Sequence, residues 1–512
     1  MQTIVDLIER SFSLHKSRGA IRIHDNLWTY NDLQDLSSKI SRFLLKSGIK
    51  KGDRVVVLMN KSIYLYAGMV GIIRAGGVYV PLDTRTPSAR LAKILEDLTP
   101  FYIFIDCHSL RYYQGCQELS NRHTKALCLD EGRYNGCEKI DFEKEPKGDM
   151  EKFSSTFSED LALILYTSGS TGVPKGAMIT HGSLYSIIDY TIETFDYGPE
   201  DVGSALSANG FDGSLFEMLP ILCSGGTLGV YPERVLFVKD ILELTYKYRI
   251  TKLFLIPSTL NSLIISELIQ PELLSRMEDV FLGGESIPVN TLIKTMSLLP
   301  QARFHNLYGP AETTLYTSEY TFSKRLNPKS KNLSIGFPIV NTRYILDRAD
   351  FKDEKNKGEL LIAGPQVGAG YWNDPERTIN AFGVTDKGER YYRTGDIVSY
   401  NAKVGYFFHG RKDQQIKFKG YRIELGEIEQ TLSLSSVIKE NVVIPVYKKG
   451  EIEELRLIYS ADGDCGKEIR RHLGKNLPSY MIPKSMIRVE SLPKNQNDKI
   501  DRVLIKKLYG GK

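Results

Sequence analysis

Residues 161–176 read LALILYTSGSTGVPKG, and the prediction of the fold starts from this stretch. Its first part, Leu161–Thr167, is a short apolar run of the kind that forms a buried strand. The second part is rich in glycine and hydroxyl side chains and contains one lysine. Gly169, Gly172 and Gly176 free the backbone to curl so that its N–H groups can face an anion. The stretch therefore predicts a strand that is followed by a phosphate-binding loop.

The side chains of this loop strengthen the prediction. Thr167, Ser168, Ser170 and Thr171 add hydroxyl donors, and Lys175 adds a positive charge. The loop is not a Walker A motif, because that motif requires Ser or Thr directly after Gly-Lys. A surface turn rich in glycine and serine is the alternative interpretation. The run of hydroxyls and glycines before a lysine favours phosphate.

Short apolar segments alternate with amphipathic helical patterns over most of the chain. Strands are predicted at 252–257, 279–282 and 303–307, and helices at 259–269 and 289–299. Such alternation favours a large N-terminal domain of layered α/β subdomains with mostly parallel sheets.

The last hundred residues have a different pattern. Helices are predicted at 424–434 and 467–476, and strands at 441–447 and 454–460. We therefore divide the chain into a large domain, 1–412, and a small α+β domain, 413–512. The segment that joins them, residues 410–422, is dense in charge.

Composition excludes several classes of protein. The 512 residues are 42% hydrophobic and 25% charged, which is typical of a folded soluble chain. The net charge of +5 is too small to indicate binding to nucleic acid. The longest apolar stretch, 65–82, is broken by Arg74 and by glycine and proline, so no membrane span is predicted. The absence of a leader peptide and of C-x-x-C pairs favours a cytoplasmic protein with reduced thiols.

Further motifs follow the loop in a fixed order. They read WTYNDL at 28–33, IIRAGGVYVPLD at 72–83, NLYGPAETT at 306–314, GELLIAGPQVGAGY at 358–371, YRTGDIV at 392–398, GRKDQQIKFKGYRIELGEIE at 410–429, LPSYMIPK at 477–484 and NQNDKIDR at 495–502. Together they resemble the core motifs of the adenylate-forming (AMP-forming) synthetase superfamily. Within it, the chain resembles the amino-acid adenylation domains of nonribosomal peptide synthetases.

The resemblance implies ATP as a cofactor and a nucleotide site. It places adenine at Asn306 and Tyr308, the α-phosphate at Thr313, and the ribose hydroxyls at Asp396 and Arg411. The rest of the implied site comprises Thr167, Ser168, Gly169, Ser170, Thr171, Gly172, Gly284, Glu285, Leu307 and Gly309.

The resemblance also implies a metal ion and a catalytic lysine. Glu312 resembles the family's magnesium ligand, and one carboxylate combined with phosphate oxygens suits Mg²⁺. Lys499 resembles the lysine that reaches the substrate carboxylate and the α-phosphate, and Lys175 is the second implied catalytic residue. The family pattern is Asn-Gly-Lys, whereas here Asp498 stands before Lys499.

Asp413 resembles the hinge about which the small domain rotates. One orientation is expected to bring Lys499 to the active site for adenylation. The other is expected to bring residues 417–422 there for thiol transfer.

Asp212 resembles the aspartate with which amino-acid-activating members hold the substrate amine. The role suits a carboxylate in an apolar pocket, because such a group needs a cationic partner. A helix N-cap is the alternative interpretation of Asp212. The other pocket positions implied by the motifs are Gly213, Phe216, Thr259, Phe281, Gly283, Leu307, Leu315 and Tyr316. They favour a hydrophobic amino acid, and a flat aminobenzoate would also fit between the aromatic rings.

These residues predict an AMP-forming acid–thiol ligase. ATP and an amino-bearing carboxylic acid would give an acyl-adenylate, and the acyl group would then pass to the phosphopantetheine thiol of a carrier protein. The chain ends ten residues after Arg502, so a stand-alone carrier acting in trans is expected. A D-alanine–carrier protein ligase, an acyl-CoA synthetase and a non-catalytic binding homologue remain alternatives.

Overall fold

The computed structural model describes residues 2–117, 124–130, 138–139, 156–169, 174–232, 237–323, 326–328, 330, 332–351, 353–433, 438–448, 451–494 and 500–510. The helices are α1 (Ile4–Leu14), α2 (Tyr30–Lys46), α3 (Ile63–Arg74), α4 (Ser88–Leu98), α5 (Leu110–Gln117), α6 (His181–Thr194), α7 (Asp212–Ser224), α8 (Val238–Tyr248), α9 (Pro257–Ser266), α10 (Val289–Leu298), α11 (Pro375–Ala381), α12 (Leu425–Ser433), α13 (Gly466–Asn476) and α14 (Arg502–Tyr509). Short 3₁₀ turns lie at Pro271–Leu274, Ala311–Thr313 and Ser479–Met481. None of the helices in the described ranges is long and apolar enough to cross a membrane.

The strands form two large sheets, a hairpin and a small sheet. They are β1 (Gly19–Ile23), β2 (Asn26–Thr29), β3 (Arg54–Leu58), β4 (Val78–Pro81), β5 (Tyr102–Ile105), β6 (Ala126–Cys128), β7 (Glu138–Lys139), β8 (Leu161–Thr167), β9 (Lys175–Thr180), β10 (Val202–Ala205), β11 (Thr227–Val230), β12 (Lys252–Leu255), β13 (Asp279–Gly283), β14 (Arg303–Tyr308), β15 (Ser318–Thr321), β16 (Ser334–Pro338), β17 (Arg343–Asp347), β18 (Lys357–Ala363), β19 (Gly370–Tyr371), β20 (Phe382–Val384), β21 (Arg390–Asn401), β22 (Gly405–Arg411), β23 (Gln415–Phe418), β24 (Tyr421–Glu424), β25 (Glu440–Lys448), β26 (Glu451–Ser460) and β27 (Ser485–Val489).

One large sheet carries the predicted phosphate loop. Its order is β19-β9-β8-β4-β3-β5-β6-β7, and the strands from β8 to β7 run parallel to one another. The strands β4 and β5 are buried along their whole length, as expected when helices cover both faces of a parallel sheet. The strand β8 forms at Leu161–Thr167, as the apolar run predicts, and pairs antiparallel with β9 across the loop.

The other large sheet is parallel only in part. The strands β1, β11, β10, β12, β13 and β14 pair in parallel, and the sheet then continues through antiparallel neighbours β15, β16, β22, β21, β18 and β17. The α/β fold class is thus confirmed, with an antiparallel extension that the sequence pattern does not predict. The carboxyl ends of β12, β13 and β14 meet at one edge, where ligands of open parallel sheets usually bind.

The small domain has its own core. The hairpin β23–β24 is followed by α12 and by the sheet β25-β26-β27, with α13 and α14 packed against it. Ile423, Ile428 and Leu432 are fully buried against Leu457 and Leu473. The predicted helix 424–434 begins one residue later, at Leu425, and continues to Ser433, and residue 434 lies outside the described residues.

A buried histidine lies at the start of α6. Thr180 caps this helix through its hydroxyl oxygen, which accepts the Ser183 N–H at 3.1 Å. The next residue, His181, is 1% exposed. Burial lowers the pKa of His181 from 6.5 to about 4, although Asp160 opposes the shift.

This pKa predicts an acid-dependent loss of stability. The unfolded chain takes up a proton at His181 near pH 6.5, and the folded chain does so only near pH 4. The contribution of His181 to the free energy of unfolding should therefore fall, by up to about 3 kcal/mol, as the pH drops between those values. Chemical denaturation of wild type and His181→Asn at pH 7 and pH 4.5 should show a smaller pH effect in the variant. The exposed His24→Asn variant should behave like wild type, and equal pH effects in all three proteins would contradict the prediction.

Candidate active site

A cavity of about 180 Å³ lies between the two large sheets and the small domain. Its wall includes residues at the carboxyl ends of β13 and β14 and residues of the hairpin β23–β24. It is lined by Pro81, Leu82, Asp83, Thr86, Arg90, Ile94, Leu165, Tyr166, Thr167, Ser168, Ala208, Gly210, Phe211, Asp212, Gly213, Phe216, Phe254, Gly283, Gly284, Leu307, Gly309, Pro310, Ala311, Leu315, Tyr316, Asp396, Arg411, Gln415, Lys417, Gly420, Tyr421, Arg422, Pro478 and Tyr480.

The start of the predicted phosphate loop borders this cavity. Thr167 and Ser168 are in its wall. The Ser168 hydroxyl donates to the carbonyl oxygen of Arg422 at 2.6 Å, and the Gly169 N–H donates to the Glu427 carboxylate at 3.2 Å. The candidates Ser170, Thr171 and Gly172 lie outside the described residues.

A cluster of opposite charges surrounds Glu312, whose side chain is 0% exposed. One carboxylate oxygen lies 3.2 Å from Lys175 Nζ and accepts the Tyr371 hydroxyl at 2.8 Å. The other accepts from Arg422 at 2.6 Å. Burial alone would raise the pKa of Glu312, but Arg422 and Lys175 outweigh burial and hold it well below its ordinary value. Burial also lowers the pKa of Lys175 to about 8.

The Glu312 carboxylate fits Mg²⁺ if phosphate oxygens complete the coordination and if the carboxylate is not occupied by other cations. A single carboxylate is a suitable protein ligand when phosphates supply further oxygens. In the present arrangement Arg422 and Lys175 already engage both oxygens of Glu312. Glu312 would therefore be available to a cation only if Arg422 left its present position.

The implied ribose contacts are next to one another. Asp396 and Arg411 are register partners on β21 and β22, and their side chains form an ion pair. The Tyr308 hydroxyl also donates to Asp396. Arg411 makes a second, bidentate pair with Asp413 at 2.7 and 2.6 Å. The structure thus brings four of the predicted residues together.

Three other residues that the resemblance assigns to the nucleotide site form hydrogen bonds to protein groups. Asn306 donates to the Ser334 carbonyl at 2.7 Å, and the buried Thr313 hydroxyl donates to the Pro310 carbonyl at 3.0 Å. Glu285 accepts the Gly420 N–H at 2.6 Å. Neither Asn306, Thr313, Glu285 nor Tyr308 is in the cavity wall, whereas Gly284, Leu307 and Gly309 are. Gly284 has a φ of 85°, a conformation that favours glycine.

Asp212 is an acidic residue in the cavity wall, next to Gly213 and near Phe216 in the same helix. It is the first residue of α7, and the N-cap is Phe211, so the N-cap interpretation of Asp212 is wrong. Its carboxylate accepts the N–H of Gly213 at 2.8 Å. Burial raises the pKa of Asp212 to about 6, although Lys417 opposes the rise. The side chain is therefore a carboxylate that an incoming cation would stabilise.

The remaining pocket predictions divide into two groups. Gly213, Phe216, Gly283, Leu307, Leu315 and Tyr316 line the cavity as expected, but Thr259 and Phe281 do not. Phe281 is covered by the ring of Phe216, whose centroid lies 5.1 Å away. Thr259 lies in the first turn of α9, where its N–H donates to Ile256.

Two residues with left-handed backbone shape the end of the pocket. Thr314 and Leu315 have φ of 58° and 69°, which is strained for side chains of this size. The Thr314 hydroxyl holds the strained turn by donating to the Gln366 carbonyl at 2.8 Å. The next residue, Tyr316, lines the cavity, and its hydroxyl forms a hydrogen bond with the Thr191 hydroxyl at 2.8 Å.

Several wall residues have no role in the sequence-based prediction. Phe254 lies beside Phe216, with ring centroids 5.4 Å apart. The only feature of the sequence that could have indicated Phe254 is its position in the predicted strand 252–257. Tyr421 and Tyr480 stack with centroids 3.6 Å apart at the domain interface. Both lie in the motifs at 410–429 and 477–484, and the resemblance assigns no role to either ring. Lys499 and Asp498 lie outside the described residues.

Family models match most of the chain. The model of the AMP-binding enzyme family matches residues 8–372, and that of the AMP-binding enzyme C-terminal domain matches 427–499. The chain therefore belongs to the AMP-binding enzyme family. It is an AMP-forming ligase.

Curated relatives and solved structures agree with this class. The chain is 31% identical to an L-proline–[L-prolyl-carrier protein] ligase of Streptomyces coelicolor, over 98% of this chain and 95% of the relative. It is also 31% identical to bacitracin synthase 3 of Bacillus licheniformis, over 93% of this chain and 7% of that protein. The adenylation domain AlmE of Vibrio cholerae, solved in complex with glycyl-adenosine-5'-phosphate, has the same fold, with a TM-score of 0.84 and 22% identity over 99% of this chain and 97% of that one. These matches confirm the resemblance to adenylation domains.

The charge cluster makes a prediction about stability. Glu312→Gln would remove the carboxylate that pairs directly with Lys175 and Arg422 and leave Glu424 as the acidic group near both cations. Removing one partner of a buried ion pair typically destabilises by several kcal/mol, so we expect a loss of about 3 kcal/mol. Urea denaturation at pH 7 measures this loss, and the less buried Glu319→Gln serves as the control. A loss no larger than that of the control would contradict the cluster's role.

Proposed function

We propose that this ligase adenylates an amino-bearing carboxylic acid and transfers the acyl group to the phosphopantetheine thiol of a carrier protein. The observation that carries the proposal is Asp212, a carboxylate with a raised pKa at the apolar end of a cavity that also contains Ser168, Asp396 and Arg411. The acid that fits best has an ammonium group for Asp212 and an uncharged side chain. A hydrophobic amino acid is therefore favoured.

In the first half-reaction a carboxylate oxygen of the acid attacks the α-phosphorus of ATP, and pyrophosphate leaves. Asp396 and Arg411 would hold the ribose, and Ser168 and Gly169 would donate to phosphate. Mg²⁺ at Glu312 would neutralise phosphate charge when bound. Lys175 and Lys499 would stabilise the negative charge that develops during the displacement, which is where fixed cations contribute most.

In the second half-reaction the carrier thiol, after losing its proton, attacks the acyl carbonyl and AMP leaves. The cavity supports this step, because its wall includes Asp212 and also Asp83, Arg90 and Tyr480. The hairpin β23–β24 already lines the cavity, as expected for the transfer orientation. We propose Asp413 as the hinge. The name of the Streptomyces relative adds support for a carrier protein as acceptor.

An aminobenzoate is the second candidate substrate. The rings of Phe216 and Tyr316 lie in T-shaped contact with centroids 5.8 Å apart, and Phe254 adds a third ring to the wall. A flat aromatic acid would pack against these rings. Its amine is uncharged near neutral pH, so Asp212 would offer it only an ordinary hydrogen bond.

A screen of acids by substrate-dependent ATP–pyrophosphate exchange tests the proposal. We expect exchange with a hydrophobic amino acid and none with aspartate or lysine. Transfer of the activated acid to a phosphopantetheinylated carrier, compared with free coenzyme A, then identifies the acceptor. If none of the acids supported exchange, the proposed activity would be refuted. If the acyl group passed to coenzyme A but not to the carrier, the enzyme would be an acyl-CoA synthetase.

The role of Asp212 gives a prediction with a pH signature. Asp212→Asn removes a charge-assisted hydrogen bond worth roughly 1.5–3 kcal/mol, so kcat/KM for an amino acid should fall by about ten- to a hundredfold. In wild type the KM should rise as the pH falls through about 6, because the carboxylate then becomes neutral. In the variant this pH dependence should vanish. A small loss in the variant would instead favour the aminobenzoate, and no loss with any amino-bearing acid would remove Asp212 from the substrate site.

The role of Lys499 gives another prediction. Lys499→Ala should reduce adenylation by about two to three orders of magnitude, the effect of losing one preorganised charge donor. The exposed Lys506→Ala on α14 is the matched control and should retain full exchange activity. Single-turnover formation of the acyl-adenylate measures the step directly. Adenylate formation at the control's rate would exclude Lys499 as the catalytic lysine.

A further inference from the structure

The connection between β10 and α7, residues 206–211, leads directly into Asp212. Because Asp212 is the first residue of α7, the path of this connection affects where its carboxylate lies. Two charged side chains to which the resemblance assigns no role, Glu217 and Lys61, bind the start of the connection. Three residues of the connection lie with Asp212 in the cavity wall, namely Ala208, Gly210 and Phe211.

Glu217 holds the N–H groups of the connection. It lies in the second turn of α7 and is 4% exposed. One carboxylate oxygen accepts the Leu206 N–H at 2.9 Å and the Ser204 hydroxyl at 3.0 Å. The other oxygen accepts the Ser207 N–H at 2.8 Å. A buried carboxylate requires such donors, so the contacts fix the connection to the helix that it precedes.

Lys61 holds the carbonyl groups of the same stretch. Its Nζ donates to the Ala205 carbonyl at 2.9 Å and to the Leu206 carbonyl at 2.8 Å. Lys61 lies between β3 and α3, so it ties the connection to the other large sheet. Burial raises the pKa of Glu217, and the charge of Lys61 opposes the rise. Both polar groups of the Leu206 backbone are thus bound by a charged side chain.

The same contacts extend to other parts of the cavity wall. The Ser204 hydroxyl, which donates to Glu217, accepts the N–H of the wall residue Phe254 at 3.2 Å. Further along the connection, the buried Asn209 accepts the Tyr79 hydroxyl at 2.8 Å. The connection is therefore held at its start by two charges and near its middle by a neutral hydrogen bond.

We propose that Glu217 and Lys61 are positioning residues that hold Asp212 in place for the substrate ammonium, and that they thereby set the preference for amino-bearing acids. The inference rests on the proposed function, because it takes Asp212 as the partner of the amine. Hydrogen bonds to charged groups are about twice as strong as neutral ones, which suits side chains that must fix a backbone. In Glu217→Gln an NH₂ group replaces one oxygen and cannot accept an N–H from Leu206 or Ser207.

ATP–pyrophosphate exchange tests the inference with two substrates, the amino acid that wild type activates best and the acid of the same carbon skeleton without the amine. The ratio of their kcat/KM values isolates the effect of the amine, because a loss of folded protein lowers both values alike. Glu217→Gln and Lys61→Met should each lower this ratio about three- to tenfold.

Matched controls are the buried Glu359→Gln and the partly buried Lys39→Met, whose side chains lie outside the cavity wall. Their ratios should equal that of wild type. An unchanged ratio in both test variants, or an equal fall in the controls, would overturn the inference. Lys61→Met acts on the connection from the other sheet, so it decides the question alone if Glu217→Gln does not fold.

A double-mutant cycle gives a second readout. If Glu217 acts through Asp212, Glu217→Gln should change the ratio little in a protein that already contains Asp212→Asn. Fully additive effects would overturn the inference. Exchange by wild type with an amino acid separates the two possible failures. Its presence together with unchanged ratios in the variants would overturn the inference alone, whereas its absence with every amino-bearing acid would overturn the proposed function and the inference with it.

Discussion

The buried carboxylate of Glu312 is the point on which the active site depends. It lies in the 3₁₀ turn after β14 and pairs with Lys175 at the start of β9 and with Arg422 on β24. These elements belong to two different sheets and to the small domain. A charge that is fully removed from water must be compensated, so the pairing holds the three parts in a common arrangement. The cavity exists where these parts meet.

Much of the fold could be predicted from local pattern. The run at Leu161–Thr167 is apolar from Leu161 to Leu165 and forms β8, whose central residues are buried as expected for a strand in a covered parallel sheet. In the small domain the predicted helices and strands correspond to α12, α13, β25 and β26, whereas the hairpin β23–β24, β27 and α14 are not predicted. The antiparallel extension from β15 to β17 is not predicted either, because pairing between distant segments leaves no mark in the hydrophobic period of each strand.

In the site, too, short motifs predict some of the residues, whereas the position of others depends on tertiary packing. The motifs predict Asp212, Ser168 and Arg411 as site residues, and all three line the cavity. Phe281 was expected in the pocket but lies beneath Phe216, because the packing of one aromatic ring on another depends on α7 and β13 together. Phe254 was missed although it is the register partner of Phe281 in the sheet. Which of two neighbouring rings reaches a cavity is decided by tertiary packing.

Arg411 has a consequence for the way the two domains communicate. Its guanidinium is shared between Asp396, where the ribose is proposed to bind, and Asp413, the proposed pivot of the small domain. A rotation at Asp413 cannot leave Arg411 undisturbed, and a sugar hydroxyl that engages Asp396 acts on the same side chain. With these two proposed roles, binding of the nucleotide ribose and the angle between the domains would both act on the hydrogen bonds of one arginine.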